Sequence, residues 1–224
     1  MSAGNNSQIA LVLFGPPGSG KGTQAKILQA SLGIPHVSTG DMLREHVQAD
    51  DEIGREVKVI MQAGRLVPDD LVNRLIEKRI NRPDTEGGVL LDGYPRTLEQ
   101  ADKLTGLLRA RGVAEVVVHL RVDYNKIIAR LSGRRQCPKC GTLYNLASNP
   151  PKSEGVCDQD GATLIVREDD REPVIRQRLE AYERQTRPVL EYFARTCPRF
   201  YEVEGGDAAP ETVAAEIRRL VGKS

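Results

Sequence analysis

The feature that most constrains this 224-residue chain is a glycine-rich segment between a buried-strand pattern and a helix pattern. The strand pattern is Ile9–Phe14, an uninterrupted apolar run typical of a strand buried on both faces of a parallel sheet. Gly15-Pro16-Pro17-Gly18-Ser19-Gly20-Lys21-Gly22-Thr23 follows at once and opens the helix pattern. Glycines let backbone N–H groups converge, and a helix N-terminus with a lysine beside it attracts anions. The segment therefore predicts a phosphate-binding loop.

This loop departs from the common pattern in one respect. The residue after Lys21 is Gly22, so the hydroxyl that usually lies on the metal side moves one position, to Thr23. A glycine-rich turn without a ligand is the alternative, and the preceding strand, the spacing, the lysine and the following helix weigh against it. The predicted phosphate ligands are Gly18, Ser19, Gly20, Lys21, Gly22 and Thr23.

Strand and helix patterns alternate along the rest of the chain, which is typical of βαβ units. Strands are predicted at 9–14, 34–37, 88–92, 113–120 and 199–203. Helices are predicted at 22–32, 41–49, 51–63, 68–81, 98–111, 125–134, 172–187 and 211–221, with Asp41 and Asp123 as N-caps. These patterns predict an α/β fold with a doubly wound, five-stranded parallel sheet of the P-loop NTPase type.

The segment 136–169 interrupts this alternation and carries a metal-ligand pattern. Cys137-Pro-Lys-Cys140 and Cys157-Asp-Gln-Asp160 form two knuckles whose starts are 20 positions apart, which is zinc-ribbon spacing. The segment has no histidine, so Asp160 completes the predicted set of Cys137, Cys140, Cys157 and Asp160, with Asp158 as the competing fourth ligand. A closed set of four ligands favours structural Zn²⁺ in a small inserted lobe, rather than catalytic zinc.

Composition restricts the class of partner. The formal net charge is +1 and aromatic residues make up 4% of the chain, which weighs against a nucleic-acid partner. The first apolar run is too short for a signal peptide or a membrane span, and the polar stretch before it has no targeting pattern. We therefore expect a cytoplasmic protein without a nucleic-acid or membrane partner. The histidines at 36, 46 and 119 follow no motif and are predicted to be structural.

Three further segments combine turn residues with arginine: Thr39-Gly40-Asp41-Met42-Leu43-Arg44, Gly64-Arg65-Leu66-Val67-Pro68, and Asp92-Gly93-Tyr94-Pro95-Arg96-Thr97 with Gln100. Together with the Gly-Lys-Gly-Thr variant of the loop and the cysteine-bearing insert, they resemble the long-lid adenylate kinases, from Ile9 onward. The resemblance implies reversible phosphoryl transfer from MgATP to AMP, giving two ADP, by a monomeric enzyme. It also implies a cis Tyr94-Pro95 bond.

The same resemblance assigns residue roles. It implies the catalytic residues Lys21, Arg96, Arg134, Arg167 and Arg178. It places Arg130, Arg134 and Tyr144 with the phosphate loop at ATP, and Thr39, Arg44, Arg65, Val67, Gly93, Arg96, Gln100, Arg167 and Arg178 at AMP. Asp92 is expected to hold Mg²⁺ through water, and Asp169 and Asp170 to orient the arginines. Arg130 and Arg134 are four residues apart and are predicted to share one helix face.

The resemblance also divides the chain into three parts. The core is expected at 1–37, 68–133 and 170–224, the helical AMP-binding lobe at 38–67, and the zinc-ribbon-like lid at 134–169. A guanidinium pairs bidentately with phosphate, and an amide can both donate to and accept from adenine, which supports the arginine and Gln100 assignments independently.

Three other functions compete with this one. Another nucleoside monophosphate kinase, using UMP or CMP or taking GTP as donor, is the nearest. A zinc-ribbon nucleic-acid module fused to a nucleoside triphosphate switch is disfavoured by the charge and the aromatic content. A nucleotide-binding regulator without transfer activity would not need the second set of phosphate-facing arginines.

Overall fold

The computed structural model describes residues 8–222 and has a five-stranded parallel sheet at its centre. The strands of the described chain, in the central sheet and in a separate hairpin, are β1 (Ile9–Phe14), β2 (His36–Ser38), β3 (Val89–Asp92), β4 (Ala114–Arg121), β5 (Arg134–Gln136), β6 (Leu143–Asn145) and β7 (Phe200–Glu204). The central sheet has the order β2-β3-β1-β4-β7, and β5 pairs with β6 in an antiparallel hairpin. The predicted α/β fold and its five-stranded parallel sheet are confirmed. The polar stretch 1–7 lies outside the described residues.

Helices cover both faces of this sheet. They are α1 (Lys21–Leu32), α2 (Thr39–Ala49), α3 (Glu52–Gln62), α4 (Asp69–Ile80), α5 (Leu98–Ala110), α6 (Tyr124–Ser132), α7 (Glu172–Ala181), α8 (Arg187–Thr196) and α9 (Pro210–Val221). Alternate residues of β1 belong to two different hydrophobic clusters. Val12 lies in the cluster of Ile76 and Phe193 on one face of the sheet, and Leu11 lies in the cluster of Leu28 on the other face. The sheet is thus the middle layer of an α/β/α arrangement. None of the described helices is long and apolar enough to cross a membrane.

Two predicted helix boundaries are wrong. The hydroxyl oxygen of Ser38, rather than the Asp41 carboxylate, accepts the capping hydrogen bond, from Asp41 N at 3.3 Å, and α2 begins at Thr39. Asp41 lies in the first turn, where a carboxylate stabilises the helix dipole. The helix predicted to stop at 187 continues through a π-helical turn, Tyr182–Thr186, into α8. Pro188 is the second residue of α8 and follows this π-helical turn directly. The Asp123 cap is confirmed, since its carboxylate accepts from Asn125 N at 2.9 Å.

A third difference concerns Arg134. The helix α6 ends at Ser132, and Arg134 begins strand β5, so Arg130 and Arg134 do not share a helix face as predicted. Gly133 N donates to Ala129 O and ends the helix, and the chain then enters the hairpin of the inserted lobe. Strands of three residues give too short an alternation to be recognised in the sequence.

Candidate active site and metal centre

The candidate active site lies at the carboxyl edge of the central sheet, where β1 and β3 end side by side. Leu13 of β1 is in register with Asp92 of β3, and the glycine-rich loop begins two residues after Leu13. Parallel strands of a doubly wound sheet bind ligands at this edge. The predicted loop and the predicted magnesium residue Asp92 are therefore neighbours.

The loop 15–20 wraps around the ammonium group of Lys21. Gly18 and Gly20 have φ of 82° and 97°, a region that residues with a Cβ rarely adopt. Lys21 Nζ donates to Gly15 O at 2.7 Å and to Pro16 O at 2.9 Å. Burial, together with the nearby charges of Arg96, Arg178 and Arg134, lowers the pKa of Lys21 to about 7 against the opposing charge of Asp92. The Lys21 side chain lies where a bound anion would favour its charged, protonated form.

The Asp92 carboxylate lies beside this loop and is largely buried. A Cβ added to Gly22 would lie 3.6 Å from Asp92 Oδ2, so the glycine at this position leaves space next to the carboxylate. Burial alone would raise the pKa of Asp92, but the neighbouring His36 and the charge of Lys21 hold it below its usual range. His36 Nε2 is 3.5 Å from Asp92 Oδ2. A charged carboxylate next to a phosphate loop fits a site for hydrated Mg²⁺.

Two aspartates hold two of the predicted catalytic arginines. Asp170, whose side chain is 0% exposed, lies 3.3 Å from Arg134 Nη1 and 2.8 Å from Arg178 Nη1. Asp169 contacts Arg178 Nη1 at 3.2 Å, and also Arg44 Nη1 of α2 at 3.7 Å. Arg134 comes from the inserted lobe and Arg44 from the predicted AMP lobe, so the aspartates join arginines from three parts of the chain.

The remaining arginines of this cluster are close enough to perturb one another. Burial and the nearby charge of Arg178 lower the pKa of Arg96 to about 10. Burial likewise lowers the pKa of Arg167 to about 10, with Arg44 and Arg134 as the next causes. Arg96 Nε donates to Gly93 O at 2.8 Å, and Arg167 Nε donates to Gln136 Oε1 at 2.6 Å. Such a concentration of partly desolvated cations favours a polyanionic ligand.

The predicted acceptor side is built on β2, β3 and the start of α5. Thr39 Oγ1 donates to Gly93 O at 2.8 Å. Gln100 is 2% exposed, its Oε1 accepts from Arg96 N at 2.8 Å, and its Nε2 donates to Asp69 at 2.6 Å. One N–H and one lone pair of this amide remain for a ligand. Val67 is buried and the side chain of Arg65 is exposed, just beyond the end of α3.

Two residues predicted at ATP differ in placement. Arg130 reaches the phosphate loop, where Nη1 lies 3.4 Å from Ser19 O, and its Nη2 donates to Gly205 O at 2.9 Å and Gly206 O at 2.8 Å. Tyr144 is instead buried in the core of the inserted lobe, packed among Cys137, Cys157 and Leu164. A side-chain contact of Tyr144 with ATP stays a prediction that this placement does not support.

The inserted lobe brings the predicted metal ligands together. One ligand atom each from Cys137, Cys140, Cys157 and Asp160 lies within 4.8 Å of the others. Asp158 is engaged elsewhere, because its Oδ1 accepts from Lys152 N at 2.9 Å, so the structure brings Asp160 and not Asp158 to the sulfurs. The two knuckles repeat one turn: Gly141 N donates to Cys137 O and Gly161 N to Cys157 O, with φ of 71° and 72° at the glycines.

The spacing of these atoms suits a tetrahedral zinc ion. Cys140 Sγ and Cys157 Sγ are 3.6 Å apart, and Cys137 Sγ is 3.3 Å from both Asp160 oxygens. Tetrahedral bonds of ordinary zinc length would place two sulfurs about 3.8 Å apart and a sulfur and an oxygen about 3.6 Å apart. The Ala162 N–H lowers the pKa of Asp160 to about 2, so the carboxylate is available as a ligand. The donor set therefore fits structural zinc.

Sequence reasoning missed several residues that support the site. They are His36 beside Asp92, Asp69 on Gln100, Gln136 on Arg167, and the Gly205 and Gly206 carbonyls on Arg130. Asp69 and Gln100 are 31 residues apart, and Arg130 and Gly205 are 75 apart. A side chain or carbonyl whose partner is so distant carries no local signal. The adjacent glycines at 205 and 206 are a turn signal, but they do not identify Arg130 as the partner.

The fold and the site together define a P-loop nucleotide-binding protein with a second, arginine-rich side and an insert whose Cys and Asp residues could hold a metal ion. The sequence model of the family described as "Adenylate kinase" matches residues 13–197. Adenylate kinases of Anaeromyxobacter dehalogenans strain 2CP-1 and of Thermotoga maritima are 45% and 43% identical to this chain. Both alignments cover 96% of the chain, and 100% and 97% of the relatives. An adenylate kinase of Methanothrix thermoacetophila is 47% identical over 83% of the chain and 86% of its own length. The chain belongs to the adenylate kinase family.

Proposed function

We propose that this protein catalyses reversible phosphoryl transfer from ATP to AMP, giving two ADP. The observation that carries the proposal is the cluster of Lys21, Arg44, Arg96, Arg134, Arg167 and Arg178, of which Arg44, Arg134 and Arg178 are joined by Asp169 and Asp170. Two nucleotide phosphate chains that meet end to end would neutralise it. Family membership supports the same reaction.

In the proposed reaction, an oxygen of the AMP phosphate attacks the γ-phosphorus of ATP, and the bond from that phosphorus to the β–γ bridging oxygen breaks. Phosphoryl transfer needs positioning and charge stabilisation rather than a covalent nucleophile. Lys21 and the backbone amides of the loop hold the donor phosphates. Arg134, Arg167 and Arg178 stabilise the charge on the transferred group.

On the acceptor side, Arg44 and Arg96 bind the AMP phosphate. Thr39, Gly93, the 65–67 segment and the free capacity of the Gln100 amide receive the nucleoside. At the donor, Arg130 lies against the ATP moiety next to the Gly205 and Gly206 carbonyls. These roles rest on the contacts described above and on the family resemblance.

Two metal ions belong to the proposal. Asp92 would hold hydrated Mg²⁺, which neutralises phosphate charge when bound with ATP. Cys137, Cys140, Cys157 and Asp160 would hold Zn²⁺, which stabilises a lobe too small to bury a core of its own. The proposed parts of the chain are the core at 1–37, 68–133 and 170–224, the AMP lobe at 38–67, and the lid at 134–169. A cytoplasmic location and a monomeric state stay predictions.

Substrate choice tests the proposal. A coupled assay should measure ADP formation with ATP and each of AMP, UMP, CMP and GMP, and then with AMP and each nucleoside triphosphate. We expect AMP to be the preferred acceptor by at least about 100-fold in kcat/KM, because a buried amide left unpaired by the wrong base costs binding energy. Comparable turnover of UMP or CMP would favour the pyrimidine nucleotide kinase alternative, and a preference for GTP would favour a GTP-dependent AMP kinase.

A further inference from the structure

Two hydroxyl groups lie against the sulfur atoms of the cysteine cluster. Tyr144 Oη is 3.5 Å from Cys157 Sγ, and Thr142 Oγ1 is 3.1 Å from Cys140 Sγ. Neither residue supplies a ligand atom to the cluster. Tyr144 is 5% exposed, and Thr142 lies on the turn that closes the first knuckle, where its carbonyl accepts from Cys137 N at 2.9 Å.

The direction of the tyrosine hydrogen bond is fixed by its neighbour. Asp158 N donates to Tyr144 Oη at 2.8 Å. A backbone N–H can only donate, so the phenol oxygen is the acceptor there and its own hydrogen is free for a second partner. Cysteines that bind zinc do so as thiolates, which have no hydrogen to donate. With metal bound, the phenol must therefore donate to Cys157, and for the same reason the Thr142 hydroxyl donates to Cys140.

The charge of the ligand set explains why such donors matter. Three thiolates and one carboxylate bring four negative charges to an ion with two positive charges, in a lobe whose core is four buried residues. Backbone amides offset part of the excess: Lys139 N and Cys140 N each lie 3.4 Å from Cys137 Sγ, and Gln159 N lies 3.4 Å from Cys157 Sγ. Cys140 is the exposed cysteine of the set. The Thr142 hydroxyl beside it can donate a hydrogen bond to its sulfur.

We propose that Tyr144 and Thr142 are positioning residues of the lid metal centre, whose hydroxyl groups stabilise the bound thiolates of Cys157 and Cys140. The inference rests on the proposed zinc site. It assigns the Tyr144 side chain to the metal centre rather than to the nucleotide.

Metal affinity of the full chain tests this inference, with Zn²⁺ as the probe and competition against a chelator of known affinity as the measurement. Tyr144→Phe removes only the hydroxyl group, and we expect zinc binding to weaken by about 10-fold to 100-fold, as is typical when an outer-shell partner of a metal ligand is lost. Thr142→Val should weaken it in the same sense, whereas Thr142→Ser, which keeps the hydroxyl, should restore wild-type affinity.

A spectroscopic measurement separates hydrogen bonding from packing. In the Co²⁺-substituted protein, loss of a hydrogen bond makes a thiolate a better electron donor, so the thiolate-to-metal charge-transfer band should move to lower energy in Tyr144→Phe and Thr142→Val. Tyr124→Phe, which changes an exposed tyrosine on α6, is the matched control and should alter neither affinity nor spectrum.

Two results would overturn the inference, and they are distinguishable. Wild-type protein that takes up no zinc with its thiols reduced would remove the zinc proposal and this inference with it. Stoichiometric zinc in the wild type, with affinities within about twofold and unchanged cobalt spectra in both Tyr144→Phe and Thr142→Val, would leave the zinc site standing and show that the hydroxyl groups do not support it.

Discussion

Single side chains at this site act mainly through charge that the fold holds out of water. Lys21 is the clearest case, since its ammonium group is held by two carbonyls of the loop it belongs to and its pKa is lowered to about 7 by burial. Arg96 is held in the same way by Gly93 O. Neither side chain belongs to a hydrophobic cluster, so their removal tests catalysis rather than folding.

We predict that Lys21→Ala and Arg96→Ala each lower kcat by about 100-fold or more, because each removes charge stabilisation from the transferred phosphoryl group. Steady-state kinetics with AMP and MgATP measures the loss, and thermal unfolding verifies the fold. Lys26→Ala and Arg109→Ala, at exposed positions of α1 and α5, are the matched controls. Near-normal turnover in either site variant would contradict the assignment of that residue.

The half-buried carboxyl group of Glu115 gives a residue-level prediction on stability. Burial raises the pKa of Glu115 to about 7, and the Thr105 hydroxyl opposes that shift only in part. The folded state therefore holds a proton that the unfolded state has released between pH 4.5 and about 7, so this group's contribution to stability is lost as pH rises through that window.

The variant Glu115→Gln removes this dependence. Allowing for the partial solvent exposure of the group, we expect Glu115→Gln to be more stable than wild type by about 1–2 kcal/mol at pH 8, a rise in Tm of about 2–6 °C, and to lose this advantage near pH 4.5. Calorimetry at both pH values measures the difference. Glu216→Gln, at an exposed position of α9, should show no such pH-dependent gain. A gain for Glu115→Gln that is equal at both pH values would mean that burial does not perturb this carboxyl group.

At the scale of elements, the inserted lobe is held by its knuckles more than by its core. Its hairpin has strands of three residues, and its buried cluster comprises Cys137, Tyr144, Cys157 and Leu164. Two of these four residues belong to the proposed metal-ligand set. With the proposed zinc bound, we expect the lobe to depend on the metal for much of its stability.

Metal removal should therefore affect stability more than catalysis. We predict about one equivalent of zinc per chain, a clear fall in Tm on chelation, and a smaller loss of activity at moderate temperature in excess Mg²⁺, because the zinc ligands are separate from the predicted catalytic residues. Elemental analysis, thermal unfolding and the coupled assay measure these three quantities.

Matched cysteine variants sharpen that test. Cys137→Ser should weaken zinc binding, Asp160→Cys should retain it because thiolate is a good zinc ligand, and Cys197→Ser, which lies outside the cluster, should retain one equivalent. If reduced wild-type protein lacks zinc, other interactions hold the lobe.

At the scale of the whole molecule, the candidate site is assembled from separate parts of the chain, which we expect to move for substrates to enter and leave. Arg44 of the 38–67 segment contacts Asp169, and Arg134 of the inserted lobe contacts Asp170. Gly64, at the end of that segment, packs against α7, since an added Cβ would lie 3.0 Å from Val174 O. Closure over two nucleotides also excludes the water that would otherwise hydrolyse ATP.

We predict that a bisubstrate analogue, two adenosines joined through a phosphate chain, captures a closed state with a smaller radius of gyration than the free protein. Small-angle scattering with and without the analogue measures the change. Adenosine, which lacks the phosphates that the arginines bind, is the control ligand and should leave the profile unchanged. Identical profiles with saturating analogue would contradict movement of the 38–67 and 134–169 segments.

Patterns within short stretches of sequence determined much of this protein. A buried strand followed by glycines, a lysine and a helix defines the phosphate loop, because the strand, the turn and the helix N-terminus are all local structures. The alternation of strands and helices predicts the parallel sheet. The two knuckles predict the cluster of Cys137, Cys140, Cys157 and Asp160, since candidate ligands three residues apart share one turn.

The tertiary structure decided what depends on contacts between distant residues. It selected Asp160 over Asp158, moved Arg134 from the α6 helix to the lid hairpin, and placed Tyr144 on Cys157. It also placed Asp170 in contact with Arg134 and Arg178, and Arg130 in contact with two glycine carbonyls. These contacts form because the lobes pack against the edge of the sheet. That packing depends on burial of the whole core, so the residues of one segment do not predict it.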